Sequence, residues 1–104
     1  MRENQQRVGQ LIQSYGLDKS PETRMLDLVS EVGELSKELL KASDYRNQPV
    51  ALTDTMEEEL GDCLFSLLCL SEALGADAQK AFNGVLEKYQ RRFAETGQIG
   101  HKAT

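Results

Sequence analysis

Glu31 and Glu34, then Glu59 and Asp62, form two pairs of carboxylates, each spaced three apart within an apolar stretch. On an α-helix such residues lie about 60° apart around the axis, so each pair directs both acids to one side. Ionised carboxylates at the edge of a core are costly unless each meets a cation or a full set of donors, and two converging pairs also repel. A divalent cation answers both demands. The four carboxylates have no histidine near them, and an oxygen-only ligand set favours Mg²⁺, with Mn²⁺ as the alternative. The single histidine, His101, lies in the tail, so the Glu-x-x-His pairs of di-iron bundles are missing. No Asp-x-Asp-x-Asp-Gly loop of the EF-hand kind occurs.

The ordinary explanation of Glu-x-x-Glu is a solvated helix face, and the run Glu57-Glu58-Glu59 also fits acids complementing a helix dipole. Two features weigh against it. From Leu60 to Leu74 the chain is apolar nearly all round, which leaves Asp62 little chance of reaching solvent. A glycine also precedes the inner acid of each pair, Gly33 before Glu34 and Gly61 before Asp62. Glycine inside a helix costs about 1 kcal/mol relative to alanine, so its presence at both pairs suggests a close approach to the backbone. A second group is cationic: Lys88 shares a helix face with Arg91 and Arg92 in turn. A basic helix end complements the C-terminal dipole, but beside a divalent-metal site the same residues suit phosphate oxygens that the metal leaves free.

Four helices position these groups. The first runs from about Glu3 to Tyr15 and stops at Gly16. The second starts on the signal Ser20-Pro21-Glu22 and lasts to about Ala42. It carries Met25, Val29, Val32, Leu35 and Leu39 on one face, expected to be the core side, with Asp27, Glu31, Glu34 and Glu38 beside them. Residues 43–52 form the one sizeable loop, kept open by Pro49. A third helix is expected from Asp54, capped in a box with Glu57, to Gly75. Asp77 caps a fourth, with Ala78, Ala81, Phe82, Val85, Tyr89 and Phe93 inward, fading at Gly97; residues 97–104 read as a mobile tail.

A chain of 104 residues makes one small domain, here 1–104, and a helix greasy on every side needs partners that one copy cannot supply. An obligate homo-oligomer is therefore expected. The net charge of −5 argues against nucleic-acid or membrane-surface binding. No stretch suits a membrane span, and the polar N-terminus is unlike a signal peptide, so a cytoplasmic protein is expected. Cys63 and Cys69 sit six apart on one helix and cannot bridge within it, which favours buried thiols over a redox pair.

The segment Leu28-Val29-Ser30-Glu31-Val32-Gly33-Glu34-Leu35 resembles the first acidic motif of the MazG-like nucleotide pyrophosphohydrolases, in the all-α NTP pyrophosphatase group. Glu58-Glu59-Leu60-Gly61-Asp62-Cys63-Leu64-Phe65 resembles the second, and Ala81-Phe82-Asn83 through Glu87-Lys88-Tyr89 to Arg92 is similar to the final basic helix. The resemblance covers about residues 20–93. It departs at Ser30, where many members have an acid, and at Leu86, where many have an asparagine that Asn83 could replace one turn earlier.

The resemblance implies an all-α, four-helix MazG-like bundle completed by homo-oligomerisation, as dimer or tetramer. It also implies Mg²⁺-dependent hydrolysis of nucleoside triphosphates, NTP or dNTP, to monophosphate and pyrophosphate in nucleotide-pool house-cleaning. Glu31, Glu34, Glu59 and Asp62 are then expected as metal ligands, with Glu34 or Glu31 orienting the attacking water. Lys88, Arg92, Arg91 and Asn83 are expected on phosphate oxygens. The competing expectation is a helical dimerisation or regulatory module that keeps the bundle without turnover.

Overall fold

A computed structural model describes residues 1–97 and contains four helices: α1 (Arg2–Tyr15), α2 (Pro21–Ala42), α3 (Asp54–Leu74) and α4 (Ala78–Thr96). The expected tail lies almost wholly outside the described residues. Local chemistry sets most boundaries. α1 closes on Gly16 at φ 60°, whose N–H donates to Ile12 O. Ser20 Oγ accepts the Thr23 N–H at 3.2 Å and Pro21 opens α2. Asp77 Oδ1 accepts the Lys80 N–H at 3.1 Å at the head of α4. One boundary corrects the expectation: α3 is capped by Thr53, whose Oγ1 accepts the Met56 N–H at 3.2 Å. Asp54 thereby falls inside the first turn with Glu57, where acids favour the dipole without capping.

Between α2 and α3 the chain reverses without a glycine. Asp44, Tyr45 and Arg46 all adopt left-handed backbone angles, φ 46°, 53° and 76°. The turn is held by Tyr45 N–H to Leu40 O at 2.8 Å and Arg46 N–H to Ser43 Oγ at 3.0 Å.

α3 is the central element, flanked on one side by α2, its main partner, and on another by α1. Met56, Leu68, Cys69 and Ile12 are the buried apolar residues, with Cys69 wholly enclosed. Here the structure overturns most of the expected core face of α2, with Leu35 the exception. The side that meets less solvent is Arg24, Leu28, Glu31, Leu35 and Glu38, while Met25, Val29, Val32 and Leu39 are exposed. On α3, Leu60, Leu64, Leu67 and Leu74 share a third face and all four are exposed, with Leu64 at its edge lining a cleft with Val8 and Leu11 of α1.

The fourth helix also departs from expectation. α4 buries no residue, and Phe82, Val85, Tyr89 and Phe93 are exposed rather than inward, as is Leu86 beside them. Its substantial contact is with α1 alone. The radius of gyration, 16.8 Å, accordingly exceeds the ~13 Å of a compact domain of this size. Among the described residues no helix is long and apolar enough to cross a membrane.

Candidate metal centre

Turning the acidic side of α2 towards α3 brings Glu31 against Glu59 and Asp62. One carboxylate oxygen from each of the three lies within 4.8 Å of the others. Glu31 and Glu59 are half-buried. Asp62 is exposed, contrary to the expectation that its apolar helix would enclose it. Glu59 Oε2 is shielded from solvent and has no hydrogen-bond partner among the described residues. Burial pushes the Glu59 carboxyl above its ordinary range, and the negative charges of Asp62, Glu31, Glu34 and Glu38 add to the rise, in that order. An orphaned carboxylate oxygen among converging carboxylates is the environment that a hard divalent cation relieves. The donor set therefore fits Mg²⁺ or Mn²⁺.

Glu34 stands outside this triad and is exposed, although its charge reaches Glu59. The half-buried Glu38 was legible as part of the acidic side of α2, one turn beyond Glu34, yet was not among the expected ligands; its charge reaches Glu59 as well. Cys63 is half-buried beside the acids, and burial, then Glu31, Glu59 and Asp62, push its thiol up, away from reactive thiolate. A Cβ on Gly33 or Gly61 would meet nothing within 4 Å, so among the described residues none makes the close approach that these glycines suggested.

The basic group is not brought to the acids within one chain. Lys88 Nζ lies 5.0 Å from the centre of the Tyr89 ring, a cation–π contact on α4 itself. Asn83 Oδ1 accepts from Gln79 Nε2 at 2.9 Å. Arg91 and Arg92 belong to the same helix, whose main contact is with α1 rather than with the acid-bearing α2 and α3.

Residues 19–96 match the MazG nucleotide pyrophosphohydrolase domain. The chain belongs to the MazG family. It is 35% identical over 88 residues to the uncharacterized protein YpjD of Bacillus subtilis, an alignment that takes in 82% of this chain and 75% of YpjD. The crystal structure of YpjD superposes with a TM-score of 0.72 at 33% identity, covering 88% of this chain and 94% of the other. The nucleoside triphosphate pyrophosphohydrolase of Escherichia coli K12 is 34% identical over 68 residues, 65% of this chain. The matched region is only 26% of that longer relative. The all-α architecture thus accords with the MazG fold, and both acidic pairs lie within the matched segment.

Proposed function

We propose that this MazG-family chain is a Mg²⁺-dependent nucleoside triphosphate pyrophosphohydrolase that clears nucleotides from the cytoplasmic pool. The observation that carries the reading is the carboxylate triad of Glu31, Glu59 and Asp62, with a shielded oxygen of Glu59 left without a donor. These three, joined by Glu34, would hold the cation. Bound there, the cation would neutralise triphosphate charge and lower the pKa of a nearby water. Glu34 or Glu31 accepts a proton from the attacking water as its oxygen bonds to the α-phosphorus. The α–β bridging P–O bond breaks, and pyrophosphate leaves from a nucleoside monophosphate.

Positive groups are needed on the departing phosphates, and Lys88, Arg92, Arg91 and Asn83 supply them in this reading. They reach the acids from a second copy. Three exposed apolar faces support that assembly: Met25, Val29, Val32 and Leu39 on α2, the leucines of α3, and Phe82 to Phe93 on α4. Charge complementarity supports it too, since the basic side of α4 suits the acidic α2–α3 seam. A homodimer, or a tetramer built from it, covers these faces.

The test is pyrophosphate release across the common ribo- and deoxyribonucleoside triphosphates, with and without Mg²⁺. Release of pyrophosphate and monophosphate in equal amounts, only with the metal, is the expected result. Orthophosphate release, or no turnover of any triphosphate, refutes the reading.

A further inference from the structure

The first turn of α1 grips the junction between α3 and α4. Gln5 is buried there, 9% exposed, on an otherwise exposed polar turn. Its Nε2 donates to Ala76 O at 2.7 Å, and its Oε1 accepts the Ala78 N–H at 2.9 Å. One turn earlier, Arg2 Nε donates to Asp77 Oδ2 at 3.1 Å. Three successive junction residues, 76 to 78, are therefore each held by α1. Asp77 is engaged twice over: the Lys80 N–H, then the Arg2 guanidinium, hold its carboxyl below the usual range.

α4 buries no residue of its own, and its main contact with the other helices is with α1, so this junction is a principal tie between α4 and the rest of the described chain. A helix rises about 1.5 Å per residue, so Arg92 lies roughly 22 Å along α4 from Asp77 and Lys88 roughly 16 Å. A swing of about 10° at the junction would carry Arg92 roughly 4 Å and Lys88 roughly 3 Å at that rise per residue. Either displacement exceeds what a hydrogen bond to a phosphate oxygen tolerates.

We infer that Gln5, supported by Arg2, is a positioning residue for the basic strip of α4. The two bonds of its amide set the direction in which Lys88 and Arg92 are presented to a triphosphate. The inference rests on the hydrolase reading above, and it assigns Gln5 and Arg2 no contact with substrate or metal.

The experiment compares the full-length protein, in its native assembly, with Gln5→Met and Arg2→Ala. Gln5→Met keeps the side-chain bulk and removes both bonds. Arg2 is exposed, so its truncation leaves the fold intact. Three quantities are read: steady-state kinetics with Mg²⁺, Mn²⁺ affinity by electron paramagnetic resonance without nucleotide, and amide hydrogen exchange at Ala78 and Lys80. In Gln5→Met the two amides should exchange faster and KM should rise on the order of tenfold. kcat should stay within about threefold, as expected when binding rather than chemistry is lost. Arg2→Ala should shift KM the same way by less, and Mn²⁺ affinity should be unchanged in both. Faster exchange at Ala78 with unchanged KM in both variants overturns the inference and leaves the hydrolase reading standing. Parallel loss of Mn²⁺ affinity and KM overturns it too, since Gln5 would then be a general structural prop. No turnover by the parent protein would instead sink the hydrolase reading itself.

Discussion

Leu67 and Leu68 are neighbours on α3 with the same side chain, and they separate the two accounts of how this fold is completed. Leu68 is 3% exposed and packed within the chain, whereas Leu67 is 46% exposed on the uncovered leucine face. Truncating a buried leucine to alanine costs about 2–5 kcal/mol, so Leu68→Ala should be strongly destabilising in either account. For Leu67 the accounts diverge. Full burial of a leucine is worth roughly 2 kcal/mol, and half-exposure in an isolated chain realises about 1 kcal/mol of it. If a second copy covers the face, the cost of Leu67→Ala should rise into the same range as that of Leu68→Ala. At about 4–8 °C per kcal/mol for a domain of this size, the isolated-chain cost is a drop of roughly 4–8 °C and the covered-face cost at least twice that. The assay is thermal unfolding by circular dichroism at about 1 µM and about 100 µM, where a coupled assembly must show a concentration-dependent Tm. We expect the larger drop and a Tm that climbs with concentration. A small drop, with a parent Tm identical at both concentrations, would refute the covered face.

Glu59→Gln should abolish hydrolysis and most of the Mg²⁺-dependent stabilisation read as a rise in Tm, which in the parent is worth about 2.7 kcal/mol at a hundredfold excess over Kd. Because the folded carboxyl sits above its ordinary 4.5, the native state holds this proton more tightly than the unfolded state, and stability falls as pH rises through the folded value. The metal-free variant should therefore be at least as stable as the parent at neutral pH, with the advantage gone below pH 4.5; a variant that melts lower without metal would mark Glu59 as a structural partner. Replacing Mg²⁺ by Ca²⁺ should leave little turnover, because a larger and looser shell positions a triphosphate poorly; equal rates in the two ions would mean that the metal only screens charge.

What could be read from the residues followed the range of the interactions involved. Ser20-Pro21, Gly16, Gly75, Asp77 and Gly97 act on their own neighbours, and each marks its helix end as expected. The cap of α3 was misplaced by one residue because Asp54 and Thr53 are both competent acceptors, and only the backbone angle decides between them. Periodicity found the apolar face of α2 and of α4 but could not say what covers it. In a chain whose apolar surface exceeds its own core, that face points away from the chain, and the acidic side of α2 meets α3 instead. The convergence of Glu31 with Glu59 and Asp62 was foreseeable from charge and spacing, whereas the orphaned oxygen of Glu59 needed the packing. Gln5 gave no signal at all, since its partners are backbone groups more than seventy residues away.

The glycine-free reversal after α2 leaves the carboxylate triad indifferent to the length of chain that joins its halves. Residues 43–48 bond their backbone N–H groups to the end of α2 and to one another, and no residue of 43–53 belongs to the carboxylate triad. The intervals that matter chemically are the three-residue ones inside each acidic pair, which helical geometry fixes, while the interval between the pairs is only a tether. Doubling such a tether costs about 0.6 kcal/mol of closure entropy. A flexible insert beside Pro49 that doubles this segment should lower the urea midpoint by no more than that and leave Mn²⁺ affinity unchanged. The two acidic helices could thus be carried apart in sequence, or joined through a foreign domain, without being parted in space; a tenfold weaker Mn²⁺ site in the lengthened chain would show that the turn itself tensions the centre.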